Sequence, residues 1–264
     1  MNTNKALENS QEIIDTMIIV AGTMIENDDY EQAVGMYQTI LQLIPNEIAQ
    51  YNLGTLYAQG KGVKQDFKEA AYWFNQAYIT GDDQAEKHCL KCMIDFIHQD
   101  FEHETPETIF FKMMRFVKFI WPEQNIELKV NENLFAMAGN HFNKQEYIEA
   151  LKLFRAAAEF GNDGNSQNYL AILYNAGMGI EQNDLVSLYW FDKAADNGIE
   201  LAQTDRNGIL NAYQAKLSPQ EFYEQMMLLS GWCSLGSIDI PKDANKAVYW
   251  REIGEKMAVI NNKS

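Results

Sequence analysis

The sequence predicts an all-α fold, an α-α superhelix of stacked helix pairs, from three observations. Residues 21–85 recur without insertion or deletion as residues 138–202, each residue n matching n + 117, with seventeen of the 65 pairs identical. The identical pairs, among them Leu53/Leu170, Tyr57/Tyr174, Gly60/Gly177, Trp73/Trp190 and Phe74/Phe191, are of the kind that packs helices or turns chains, which is the mark of a repeat architecture. Helical periodicity runs almost from end to end, interrupted by only five prolines. The spacing predicts about eleven or twelve helices in antiparallel pairs, within a single domain spanning residues 1–264.

The first pair reads Ile13 to Glu26, a turn at Asn27-Asp28-Asp29, and Tyr30 to Leu43, closed by Pro45-Asn46. Asp28 followed by Glu31 has the form of a capping box. In the second helix Ala33, Tyr37, Ile40 and Leu41 fall at spacings of three and four and so share a buried face. The spacing Ala33, Tyr37, Pro45 resembles the second helix and closing proline of a tetratricopeptide repeat, with Met17, Val20, Ala21 and Met24 where its first helix would pack.

The second pair runs from Tyr51 through Leu53, Gly54, Tyr57, Gly60, Gly62, Val63, Asp66, Ala70, Trp73, Phe74 and Ala77 to Gly81. Leu53, Leu56 and Tyr57 make an apolar stripe. Gly60 suits a left-handed helix end and Gly62 a second turn. Asp66 caps the following helix, and Trp73, Phe74 and Ala77 pack it back on the first. This pattern resembles the Sel-one-like repeat, a relative of the tetratricopeptide repeat. The second copy keeps Leu170, Leu173, Tyr174, Gly177, Gly179, Ile180, Tyr189, Trp190, Phe191, Ala194 and Gly198, and places Ala171, Asn183 and Ser187 where the motif has Gly, Asp and Ala. A degraded third copy follows Ser218-Pro219-Gln220-Glu221, with Leu229, Trp232, Gly236, Asp243, Ala247 and Trp250. Its loop is one residue longer and lacks the second glycine, as suits a capping end.

The expected organisation is therefore a first tetratricopeptide-like plus Sel-one-like unit over 14–85, a helical spacer over 86–130, a second such unit over 131–202 and a degraded capping repeat over 203–264. Within the spacer, Thr105-Pro106-Glu107 is a helix start. The helix it opens, Pro106 to Trp121, is the most apolar stretch of the chain, its polar positions Lys112, Arg115 and Lys118 all basic. Two roles suit it: a packing element joining the halves, or an interface, including a homodimer interface.

Thirty-seven acidic against 21 basic side chains give a formal charge of -16. That field disfavours nucleic acid and anionic membrane as partners and suits either plain solubility or a basic protein partner. No run of about 18 apolar residues is present to cross a membrane. The N-terminus lacks the pattern of a signal peptide, and three cysteines do not make a disulfide framework. The expected location is the cytoplasm.

Chemistry-bearing motifs are few. His88-Cys89-x-x-Cys92 with His98 and His103 is the one cluster with metal-ligand residue types, but its spacing is that of one helix rather than a zinc finger. Gly60-Lys-Gly62 and Gly177-Met-Gly179 lack the strand, third glycine and Lys-Ser/Thr of a phosphate loop. Asp28-Asp29 and Asp82-Asp83 fall in turns. No cofactor, resident metal or catalytic group is expected, and the chain is read as a non-enzyme.

The resemblance implies a binding scaffold, often of bacterial source, whose first helices line a concave face. It would place Tyr51, Asn52, Thr55 and Gln59 there, matched by Asn168, Tyr169, Ile172 and Ala176. Such side chains can hydrogen-bond a peptide or hold a protein domain, or they can pack against the next repeat. The function expected is an adaptor for protein or peptide; the alternative is an acidic inhibitor or immunity protein that neutralises a basic toxin or nuclease.

Overall fold

The computed structural model describes the backbone of residues 2–261 and the side chains of residues 11–256. The outermost ends of the expected 1–264 domain lie outside the described residues. Among the described residues thirteen α-helices follow one another: α1 Asn2–Glu26, α2 Tyr30–Leu43, α3 Glu47–Gln59, α4 Phe67–Thr80, α5 Ala85–His98, α6 Pro106–Ile120, α7 Ile126–Asn143, α8 Tyr147–Phe160, α9 Gly164–Ala176, α10 Asp184–Asp196, α11 Glu200–Lys216, α12 Pro219–Leu235 and α13 Ala244–Asn261. A single 3-10 turn, Phe101–His103, precedes α6, and no strand occurs among the described residues. The all-α class is as predicted. The count among the described residues is thirteen rather than about eleven or twelve.

Contacts divide the chain into two units, residues 1–104 with 112–126, and residues 105–111 with 127–264. In the first, α1 packs on α2, α2 on α3, α3 on α4 and α4 on α5. Its core holds Ile14, Ala21, Ala33, Val34, Tyr37, Ile40, Ala49, Leu53 and Leu56. In the second, α8 packs on α9, α9 on α10, α10 on α11 and α12 on α13. Its core is heavier in aromatics, with Tyr174, Tyr189, Trp190, Phe222 and Trp250. Each unit is thus a run of helices packed one on the next. Among the described residues no helix is long and apolar enough to cross a membrane.

Local signals act as the sequence suggests at most helix ends. The Asp66 carboxylate accepts from the backbone N–H of Lys68 and Glu69 at 2.9 and 3.1 Å, and Asn183 accepts from Leu185 and Val186 at 3.1 Å each. Ser218 and Glu221 form a reciprocal capping box. Thr105 Oγ1 accepts from Thr108 N–H at 3.2 Å. The box expected at Asp28 and Glu31 does not form. Asp28 takes a left-handed φ of 64° and accepts instead from the Tyr30 hydroxyl, and the next residue, Asp29, occupies the cap position without a side-chain cap bond.

The inter-helix loop closes alike in all three repeats. Asp66 N–H donates to Tyr57 O at 3.1 Å, Asn183 N–H to Tyr174 O at 3.0 Å, and Asp243 N–H to Cys233 O at 2.7 Å. The extra residue of the third loop is therefore absorbed between two fixed points. Gly62 and Gly179 have φ near 70° and press on the start of the preceding pair's second helix: an added Cβ would lie 2.4 Å from the Tyr30 carbonyl carbon or 2.7 Å from Tyr147 Cβ. Backbone contact that close leaves glycine as the residue that fits. Gly22 and Gly139, by contrast, have open space where a side chain would go. Their identity in the two copies has no steric cause in the structure.

Two packing expectations are corrected. Val20 is exposed and Ile14 takes its place in the core, because the helix face that meets α2 is centred on Ile14, Ala21 and their half-buried neighbours Met17, Ile18 and Met24. Trp190 is buried, as expected, but its counterpart Trp73 is only half-buried; what covers one and not the other is a loop described below. The apolar helix of the spacer is largely buried, through Ile109, Phe110, Met113, Phe116, Val117 and Ile120. Of its three basic residues, Lys112 is committed internally, donating to Gln99 O and pairing with Glu104, each at 2.9 Å.

Candidate functional site

The predicted binding residues fall into two sets, one in each unit. On α3, Tyr51, Asn52 and Thr55 are half-buried and Gln59 is exposed, while Leu53 and Leu56 between them face the core. Helical spacing alone produces this division. The Tyr51 hydroxyl lies 3.0 Å from His88 Nε2 on α5, and the Tyr51 ring meets the edges of Phe74 and His88 at centroid distances of 5.3 and 5.2 Å. Thr55 turns its hydroxyl back to Tyr51 O at 3.0 Å. The free hydrogen-bonding groups of this face are thus those of Asn52 and Gln59, with Tyr51 held upright by its ring neighbours.

On α9 the set is more closed. Asn168 is 7% exposed and its Oδ1 is buried without a partner. Tyr169 is half-buried and stacks on Phe154 at 5.0 Å, with Phe142 and Phe135 at 5.4 and 5.6 Å. Ile172 is half-buried and Ala176 exposed. Three residues that the sequence did not assign to these faces therefore help form them: His88, Phe135 and Phe142. The two phenylalanines are seven apart on α7, a spacing that puts them on one helical face and that could have revealed them. His88 could be found only through the packing of α5 on α4.

The third repeat loop, residues 236–243, is clamped onto α8, α9 and α10. The Tyr174 hydroxyl donates to Asp239 Oδ1 at 2.7 Å, and Trp190 Nε1 donates to Asp239 O at 3.1 Å. The Arg155 guanidinium donates to Ile238 O, reaches Asp239 Oδ1 at 3.5 Å and pairs with Glu159. Burial raises the Glu159 pKa, an effect that Arg155 partly offsets. Behind the loop, Asp192 is 1% exposed and paired with both Arg206 and Lys246, and Lys246 also meets Asp196 at 2.6 Å.

The cysteines do not present reactive groups. Cys89, Cys92 and Cys233 are buried, and burial pushes the Cys92 and Cys233 thiols up to about 12, so neither of these two carries a thiolate near neutral pH. His98 donates from Nδ1 to Ile94 O at 2.9 Å. Among the described residues no three His, Cys, Asp or Glu side chains converge to hold a metal ion. A recess of about 390 Å³ lies at the α1–α2 turn, lined by Asp28, Asp29, Tyr30, Glu31, Gln32 and Gly62.

The sequence pattern of the Sel1 repeat matches residues 48–81, 144–162, 164–199 and 226–251. These stretches hold nearly all of α3 with α4, the whole of α8, α9 with α10, and parts of α12 and α13. The degraded third copy is thus a repeat in its own right. A search of curated proteins finds no match. Among solved structures, a Sel1 repeat protein from Oxalobacter formigenes is 20% identical, covering 85% of this chain and 76% of that one, with a TM-score of 0.27. A protective antigen of uropathogenic Escherichia coli displaying an SLR fold is also 20% identical, covering 94% of this chain but 54% of that one, with a TM-score of 0.34. Proteins built from such repeats serve in general as protein-interaction scaffolds and are typically non-enzymatic. The chain thus carries the Sel1 repeat pattern in four stretches, and three of its inter-helix loops close by the same backbone bond.

Proposed function

We propose that the protein is a non-catalytic adaptor that takes a peptide or protein domain against the first-helix faces of its repeats. In the first unit the contact set is Tyr51, Asn52, Thr55 and Gln59; in the second it is Tyr169, Ile172 and Ala176, with Asn168 behind them. The observation that carries this reading is the division of α3, whose Leu53 and Leu56 are buried while Asn52 and Gln59 keep hydrogen-bonding groups at the surface. An aromatic body with polar neighbours is the composition of many binding faces.

A second reading has the charge behind it. With a net -16, an inhibitor that covers a basic toxin or nuclease would gain a fast, salt-sensitive association. One experiment separates the two. Affinity capture from lysate with the wild-type chain and an Asn52→Ala, Gln59→Ala variant, at low and high salt, is followed by mass spectrometry. The adaptor reading expects a salt-resistant partner lost by the variant at unchanged melting temperature, and a partner retained by the variant overturns it. A single basic protein released by salt would favour the inhibitor.

A further inference from the structure

The duplication supplies an internal control for one surface. In the second unit Tyr174 and Trp190 are each 1% exposed, because the loop that carries Asp239 sits on them and takes hydrogen bonds from both. Their counterparts at n - 117, Tyr57 and Trp73, lie on the same scaffold: the same loop closure from residue 66 to residue 57, and the same glycine pressed against Tyr30. Yet Tyr57 and Trp73 remain half-buried, and the Trp73 indole N–H finds no acceptor among the described residues. The first unit therefore keeps open the surface that the second unit fills with its own chain.

The charges around the open copy differ from those around the filled one. The Tyr174 hydroxyl is surrounded by Asp239, Arg155 and Glu159, and Arg155 is what makes a carboxylate welcome there. In the first unit Gln38 stands in place of Arg155, and Asp66 and Glu69 stand where the second has Asn183 and Val186. The Tyr57 hydroxyl feels Glu69 and Asp66 and pairs with Gln38. The nearby cations are turned elsewhere: Lys61 lies over the Tyr30 ring and Lys68 over the Phe119 ring, each at 4.8 Å. Burial and, after it, the adjacent Asp66 raise the Glu69 pKa, an effect that Lys68 only partly offsets.

We propose that the Tyr57–Trp73 face of the first unit docks a short loop of a partner protein that offers a backbone carbonyl to the Trp73 indole N–H and a lysine or arginine to Glu69 and Asp66. The partner loop would stand where residues 236–241 stand in the second unit, with the charge at the Asp239 position reversed. This site is separate from the first-helix faces and does not depend on them.

The test uses two head-to-tail cyclised hexapeptides, the Gly236–Pro241 sequence and its Asp239→Lys form, titrated into the full chain. The readout is the indole N–H resonances of the tryptophans, with Trp73 assigned through Trp73→Phe. The lysine peptide is expected to shift the Trp73 resonance and to bind at least about tenfold more tightly than the aspartate peptide, a preference worth about 1.4 kcal/mol for one charge reversal beside two carboxylates. Asp66→Asn with Glu69→Gln, which keeps a capping side chain at position 66, should abolish the preference while leaving the fold intact. Equal binding of the two peptides, or a preference that survives in that variant, overturns the charge assignment. No shift at Trp73 with either peptide overturns the site itself. Asn52→Ala with Gln59→Ala should leave the Trp73 response unchanged, so a failure of the adaptor reading and a failure of this proposal are told apart.

Discussion

Trp73 and Trp190 occupy the same position in two copies of one motif, and their different surroundings give the clearest test at the level of single residues. Trp190 is 1% exposed and donates to the Asp239 carbonyl, so Trp190→Ala removes a large buried ring and leaves that carbonyl unmet, at a cost of about 3–5 kcal/mol. Trp73 is half-buried, and Trp73→Ala should cost roughly half as much. Chemical denaturation of the two variants checks this. Equal losses would mean that Trp73 is covered as fully as its twin. The sequence could not have told them apart, because both sit in the same Tyr-Trp-Phe triplet. Their difference arises from a loop about fifty residues downstream of Trp190, for which residues 86–130 supply no aligned counterpart.

Among elements, α13 shows how a terminal repeat is secured. Lys246, on its first turn, is buried and paired with Asp192 and Asp196 of α10, and Arg206 of α11 shares Asp192. Removing one member of a buried ionic set strands the charge of the others. Asp192→Ala should therefore destabilise the second unit by about 3–5 kcal/mol, measured as the loss in denaturant midpoint at unchanged slope. A loss below about 1 kcal/mol would mean that water reaches the cluster and screens it. In the first unit Asn75 holds the matching position and accepts from Trp121 Nε1 at 2.9 Å, a neutral bond where the second copy uses charge. Helix boundaries, loop closures and most caps in both units were legible in the sequence, since they depend on residues within a few positions of one another. Asp28 was misread because Asp29 next to it could fill the cap position, and local pattern does not choose between neighbours.

For the whole molecule, burial of tyrosine governs the response to alkali. Burial raises the pKa values of Tyr37, Tyr174 and Tyr189, and it pushes the Tyr213 hydroxyl up to about 12. For a group whose pKa is higher in the folded state, the stabilisation is complete below the unfolded value near 10 and is lost as pH rises towards the folded value. Stability should fall steeply between about pH 10 and 12, and phenolate absorbance at 295 nm should appear in two steps. Exposed tyrosines ionise first, and the buried ones only together with the loss of helical circular dichroism. A single early step complete before any unfolding would contradict the burial of these rings.

By itself the sequence determined the all-α class, the duplication, the positions of the loops and the repeat pattern. Each of these follows from short-range rules: period 3.6 for helices, left-handed glycines for turns, and side-chain oxygens at helix starts. Tertiary structure decided which equivalent residues are open and which are closed. Asn168 is sealed while its counterpart Tyr51 is only half-buried, Trp190 is covered while Trp73 is not, and Arg155 serves a loop that the first unit lacks. The physical reason is that exposure depends on what a distant segment places on a surface, and a residue's own neighbours in the chain carry no record of that.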